Sequence, residues 1–242
     1  MIDTSRSASA TSFPGPLVLA GGAEFGGEMA AADRRAIELA GGLAAPIRIL
    51  PTAAAPDNNH TRAGANGVRW FQRLGARDVA ALPLIDRLSA DDPAIAADLR
   101  RAGLIYLLGG FPGHLGRTLA GSRAWQAAVA AWQAGAVIAG SSAGAMVLCA
   151  QYYDPYEAAL LPGLNLLPGT LFLPHYNRFG AAWLPRLQAA LPETLFLGVD
   201  EETAVIGRPG GEWRLFGAGG AAIHQGSEIC SFHAGDVFRL PE

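Results

Sequence analysis

Short apolar runs that end in turn residues alternate along this chain with longer Ala-rich stretches of helical period. "PLVLAGG" (Pro16 to Gly22) reads as a buried strand, and Glu28 to Ala40 as a helix closed by Gly41-Gly42. "PIRILPT" (Pro46 to Thr52) predicts a second strand and Arg62 to Leu74 a second helix. A third strand is expected in "ARDVAALPL" (Ala76 to Leu84), then a helix from Asp92 to Arg101 with Asp91 as its N-cap. "GLIYLLGG" (Gly103 to Gly110) supplies a fourth strand. A short helix reaching Ala120 follows, then another over Arg123 to Ala134, and "GAVIAGSS" (Gly135 to Ser142) is the fifth strand. Strands that are apolar on both faces and alternate with helices belong in a parallel sheet covered on both sides. The predicted fold class is therefore α/β, doubly wound, with a mostly parallel sheet and its sites at the C-terminal strand ends.

Beyond Gln151 the texture changes. "TLFLPH", "LFLGVDEETAVIG", "EWRLFGAGGAAIH" and "GDVFRL" are strand-like runs joined by Gly-rich turns, which predicts a C-terminal β-hairpin region at the sheet edge. One helix is expected there, over Ala181 to Ala190. No repeat or low-complexity linker divides the chain, so residues 14–242 are read as a single α/β domain behind a loose polar tail, residues 1–13.

Composition narrows the function classes. The 242 residues carry a formal charge of -3, so no basic field points to nucleic acid or an anionic membrane surface. All 18 basic residues are Arg, which removes Schiff-base chemistry and Ser–Lys dyads. Cys149 and Cys230 lack metal-ligand spacing and are expected to be small buried hydrophobes; no metal site is predicted. The first dozen residues have no apolar signal-peptide stretch, and no run approaches a membrane span. The expectation is a soluble, cytoplasmic protein.

The chemistry centres on Gly140-Ser141-Ser142-Ala143-Gly144, a G-x-S-x-G pattern between a predicted strand and a helix. A serine on such a turn must take strained backbone angles, and side chains two positions either side would clash, hence the glycines. The turn exposes the Ser142 hydroxyl and leaves the Ala143 N–H facing developing negative charge. Ser142 is the candidate nucleophile. Among His60, His114, His175, His224 and His233, only His175 ends an apolar strand, and it is the candidate base; the others read as surface or loop residues, with His114 the one to watch. An acid must hold the imidazole. Asp200, Glu201 and Glu202 follow another strand, with Asp154 and Glu157 as alternatives. Gly110, at a neighbouring strand end, could offer a second oxyanion donor because no side chain blocks its N–H.

Taken in order, "GGAEF", "LLGGFPGHL", "AGSSAGAM", "LPHYNRFG", "GVDEETAVIG" and "GAGGAAIHQG" resemble the cyanophycinase and aspartyl-dipeptidase family of serine peptidases, over nearly the whole chain from Leu17. The resemblance implies a fold like that of class I glutamine amidotransferases. It also implies a Ser–His–Glu triad on Ser142, His175 and Glu201, with oxyanion donors at Gly110 and Ala143. Two departures bear on the substrate. Phe111 and Pro112 stand where family members carry polar residues, suggesting an apolar side-chain pocket, and Arg178 is one of few arginines after the histidine, a candidate fork for a substrate carboxylate. The expected activity is hydrolysis of amide bonds in small or aspartyl-containing peptides through an acyl-enzyme, which needs no cofactor. The resemblance also suggests a homodimer. A non-catalytic binding protein on the same scaffold and an esterase are the rival readings.

Overall fold

The computed structural model describes residues 14–241; the polar tail expected at residues 1–13 lies outside the described residues. Along the chain the first strand, β1 (Leu17–Ala20), leads to α1 (Met29–Leu39), β2 (Ile47–Leu50), α2 (His60–Arg73) and β3 (Val79–Ala81). Then come α3 (Arg87–Ala90), α4 (Pro93–Arg100), β4 (Leu104–Leu107), α5 (Pro112–Leu119), α6 (Arg123–Gln133) and β5 (Val137–Ser141). A single turn, α7 (Ala143–Met146), precedes β6 (Gln151–Asp154), β7 (Ala159–Pro162) and β8 (Thr170–Leu173). The last part holds α8 (Leu184–Ala190), β9 (Leu195–Val199), β10 (Thr203–Gly207), β11 (Glu212–Gly217), β12 (Gly220–Gln225), β13 (Glu228–His233) and β14 (Val237–Arg239).

Eight strands form the main sheet in the order β14-β11-β10-β1-β5-β4-β2-β3. The five strands from β1 to β3 in that order run parallel, as the apolar runs predicted; β10, β11 and β14 continue the sheet antiparallel. Alternate residues of each parallel strand enter opposite cores. Val18, Ile47, Ile49, Tyr106 and Ala139 pack beneath α1 and α2. Leu17, Leu19, Leu50, Leu107 and Ile138 face α4 through α7. The expected α/β fold, with helices on both faces, is the one observed.

The sequence reading missed a second sheet. Four strands in the order β13-β12-β9-β8 stand apart from the main one, with β8 and β9 parallel and the rest antiparallel. Thus "LFLGVDEETAVIG" is two strands in different sheets, joined by the turn at 200–202. Period-two patterning states that a strand has an inner and an outer face, but not which strand it will pair with. The β6–β7 hairpin was also missed. Two smaller corrections concern single residues. Asp92, not Asp91, caps α4, its side chain accepting from the Ala94 N–H at 2.7 Å. Cys230 lies exposed on β13, whereas Cys149 is buried as expected.

Candidate active site

The C-terminal ends of β1, β4 and β5 converge on one rim of the main sheet. There β5 gives way to α7 at Ser142, whose φ of 50° and ψ of -114° lie outside the regions that side-chain-bearing residues favour. The flanking glycines make this turn possible. A Cβ on Gly140 would come within 2.4 Å of the Gly144 carbonyl carbon, and one on Gly144 within 2.1 Å of the Leu107 oxygen. The hydroxyl is therefore fixed at the sheet rim by backbone sterics on both sides.

The second sheet brings the partner. β8 is followed by Pro174-His175, and the His175 N–H donates to the carbonyl of Gly21, just past β1, 2.7 Å away. His175 also has a positive φ, 48°, and its ring lies against Gly22, where any Cβ would sit 2.3 Å from Cε1. Phe179 stacks on the ring, with centroids 4.8 Å apart. Held this way, His175 Nε2 lies 2.9 Å from Ser142 Oγ. Its Nδ1 lies 2.8 Å from Glu201 Oε1, in the turn that links β9 to β10.

Of the three acids in that turn, Glu201 is the one joined to the imidazole. Asp200 Oδ2 instead accepts from the Gly220 N–H, and the Glu202 carboxylate lies against Gly27. Asn177 Oδ1 accepts from the Glu201 N–H and Arg178 donates from Nε to Glu201 Oε2 at 3.1 Å. The hydrogen bond from His175, followed by that from Arg178, holds the Glu201 carboxyl below its usual range, so it is an ionised acceptor at neutral pH. Arg178 thus has a partner other than the substrate carboxylate expected for it. Asp154 and Glu157 are not brought to His175: Asp154 accepts from the Tyr156 N–H, and Glu157 pairs with Arg117 at 2.6 Å.

Gly110 (φ 138°) and Ala143 flank the hydroxyl, the first after β4 and the second at the start of α7, where the N–H has no intrahelical acceptor. A Cβ on Gly110 would fall 2.3 Å from the Ala53 oxygen. Gly110, Ser142 and His175 open into a cavity of about 230 Å³ walled by Pro112, Met146, Tyr156, Phe179 and Trp183. Phe111 stands one step back, stacked on Tyr156 at 4.5 Å between centroids. His114 hydrogen-bonds the Ile85 carbonyl on the far side of α5, and His224, read as a loop residue, is buried and paired with Tyr176 at 2.7 Å.

Several supporting residues escaped the sequence reading. In "LAGGAEF" (Leu19 to Phe25), Gly22 seats the imidazole and Glu24 accepts from the Ser141 hydroxyl at 2.8 Å. Nothing local in that segment signals contacts to residues more than a hundred positions away. Asn177, Phe179 and Trp183 carry no local signal beyond proximity to His175.

Residues 17–211 match the family described as Peptidase family S51. Over 195 residues the chain is 30% identical to a cyanophycinase from Synechococcus elongatus, a match covering 76% of this chain and 60% of that protein. A cyanophycinase from Geminocystis herdmanii is 26% identical over 211 residues, 82% of this chain and 76% of the relative. The chain thus spans about three fifths of the Synechococcus protein. Among solved structures, a peptidase from an acI-B1 Actinobacterium superposes with a TM-score of 0.83 at 29% identity, covering 95% of this chain and 98% of the other. A putative peptidase E protein from Listeria monocytogenes shares the fold at a TM-score of 0.58 and 20% identity, over 90% of this chain and 98% of the other. With the match extending over most of its length, the chain belongs to peptidase family S51.

Proposed function

We propose that the protein hydrolyses amide bonds of small peptides as a serine peptidase. The observation that carries this reading is the unbroken line from the strained Ser142 hydroxyl through His175 to Glu201, at 2.9 and 2.8 Å. An ionised carboxylate can only accept, so Nδ1 bears the proton toward Glu201 and Nε2 is left to take the serine proton. Ser142 Oγ then attacks the scissile carbonyl carbon, and the resulting oxyanion rests on the N–H groups of Gly110 and Ala143. His175 returns its proton to the leaving amine, and water repeats the sequence to release the acyl group. Arg178 acts on Glu201, keeping it charged behind the ring. The Pro112, Tyr156, Phe179 and Trp183 wall supports an apolar residue on the bound peptide.

The test is Ser142→Ala against a panel of short peptides that includes β-aspartyl dipeptides, together with labelling by a fluorophosphonate. The wild type should hydrolyse at least one class and be labelled stoichiometrically; the variant should lose both, with hydrolysis down by about 1,000-fold or more. Unchanged turnover in the variant would remove Ser142 from the mechanism. A wild type that neither turns over any peptide nor reacts with the probe would favour a binding role for the scaffold.

A further inference from the structure

At the opposite end of the main sheet from Ser142, the start of β1, the end of β10, β11 and β14 form a cleft beneath α1. Its volume is about 540 Å³, within the range of small-molecule sites. Four arginines border it: Arg35 from α1, Arg208 after β10, Arg214 on β11 and Arg239 on β14. The side wall and floor are apolar, from Pro16, Leu39, Ile206 and the half-buried Phe216.

The charge in this cleft is poorly neutralised. Arg35 pairs with Glu38 and Arg239 with Glu212, but both pairs are exposed, with side chains between 46% and 70% accessible, and such pairs hold weakly against a competing anion. Arg208 uses Nε on the Pro14 carbonyl, which leaves the face of its guanidinium fork for another acceptor. Arg214 has no side-chain partner among the described residues, and its cross-strand neighbours are Ile206 and Val237. A chain with formal charge -3 and no lysine has thus set four of its 18 guanidinium groups around one concavity.

We propose that this cleft binds a diphosphate group, with the guanidinium forks of Arg208 and Arg214 taking the phosphate oxygens and Arg35 and Arg239 closing over them. Planar forks pair with carboxylate and phosphate oxygens alike, and the terminal oxygens of two linked phosphates offer acceptors to four guanidinium groups where a single carboxylate has only two. The phosphate pair could come from a nucleoside diphosphate, whose base would lie on Phe216, or from free pyrophosphate. The site is remote from Ser142 and does not depend on the peptidase reading.

Titration calorimetry of the full chain with ADP, inorganic pyrophosphate and penta-aspartate tests this, on the wild type and on Arg214→Glu and Arg239→Glu separately. Saturable one-to-one binding of ADP or pyrophosphate is expected, weakened about tenfold or more by each charge reversal and falling with added salt. Tighter binding of ADP assigns the nucleotide as the source; equal binding assigns the free anion. Arg239 is exposed on the outermost strand, so its variant remains informative if Arg214→Glu does not fold. Fluorophosphonate labelling of Ser142 should be the same in both variants. Absence of saturable binding of either phosphate compound by the wild type, undiminished binding in both variants, or penta-aspartate displacing ADP at equal concentration would overturn the proposal.

Discussion

At the residue scale, the site is built by what cannot fit. Gly22 has φ of 130° and contacts the His175 ring, so it answers two demands at once: a backbone region closed to other residues and room for an imidazole. Gly22→Ala should push the ring off its line to Ser142. A shift of about 1 Å at a reacting group commonly costs on the order of 100-fold. The expected outcome is a fall of that size in kcat and in the fluorophosphonate labelling rate, with the far-ultraviolet spectrum unchanged. Wild-type labelling in this variant would mean the ring is held by Phe179 and the Gly21 carbonyl alone. Ser142 and His175 both sit at positive φ, and Glu202 beside Glu201 does too. Strain of that kind, of order 1–3 kcal/mol per residue, survives only where surrounding structure enforces it.

At the scale of elements, the helices on one face of the sheet are tied by a buried acid. Asp33 of α1 is fully buried and accepts from the Trp70 indole N–H of α2 at 2.7 Å, while its other oxygen has no partner among the described residues. Burial, reinforced by the nearby Glu24 carboxylate, raises the Asp33 carboxyl from 3.8 to about 7. Between those values the folded chain holds a proton that the unfolded chain has released. This group's contribution to stability therefore declines as pH rises from about 4 to 7 and stays lost above that. Asp33→Asn should remove this contribution to the slope and raise stability at pH 8 by on the order of 4 kcal/mol. Urea midpoints at pH 5 and pH 8 measure it, and a variant retaining the wild-type slope would trace the pH effect to another group.

Elements were also where the sequence was most and least readable. Three of the five parallel strands, β1, β4 and β5, follow from continuous apolar runs that suit a doubly covered sheet, whereas β2 carries Arg48 and β3 is a short, partly exposed edge strand. The elbow was legible because Gly140 is demanded by sterics that operate within five residues, its Cβ meeting the Gly144 carbonyl, although Gly144 itself answers to Leu107 of β4. Glu201 was less so: Asp200, Glu201 and Glu202 are chemically equivalent in one dimension, and their separation depends on Gly220, His175 and Gly27, each supplied by a different segment. The second sheet was invisible because pairing of β8 with β9, and β9 with β12, is a choice among strands with the same alternation.

At the scale of the whole molecule, the two cysteines report on different parts of it. Cys149 is fully buried, and desolvation pushes its thiol up to about 12, whereas Cys230 faces solvent on β13. A chromogenic disulfide reagent should titrate one thiol rapidly in the native protein and the second only as the chain opens. Two fast thiols would mean that the core around Leu148, Leu167 and Phe172 admits solvent without unfolding. No helix among the described residues is long and apolar enough to cross a membrane.

The hydroxyl belongs to the large sheet, the imidazole hangs from the small one, and the carboxylate rides on the hinge of chain that crosses between them. Turnover is consequently a gauge of how those two layers are seated. Heat or mild denaturant that merely unseats the smaller layer should abolish the proposed hydrolysis while most of the helical signal persists.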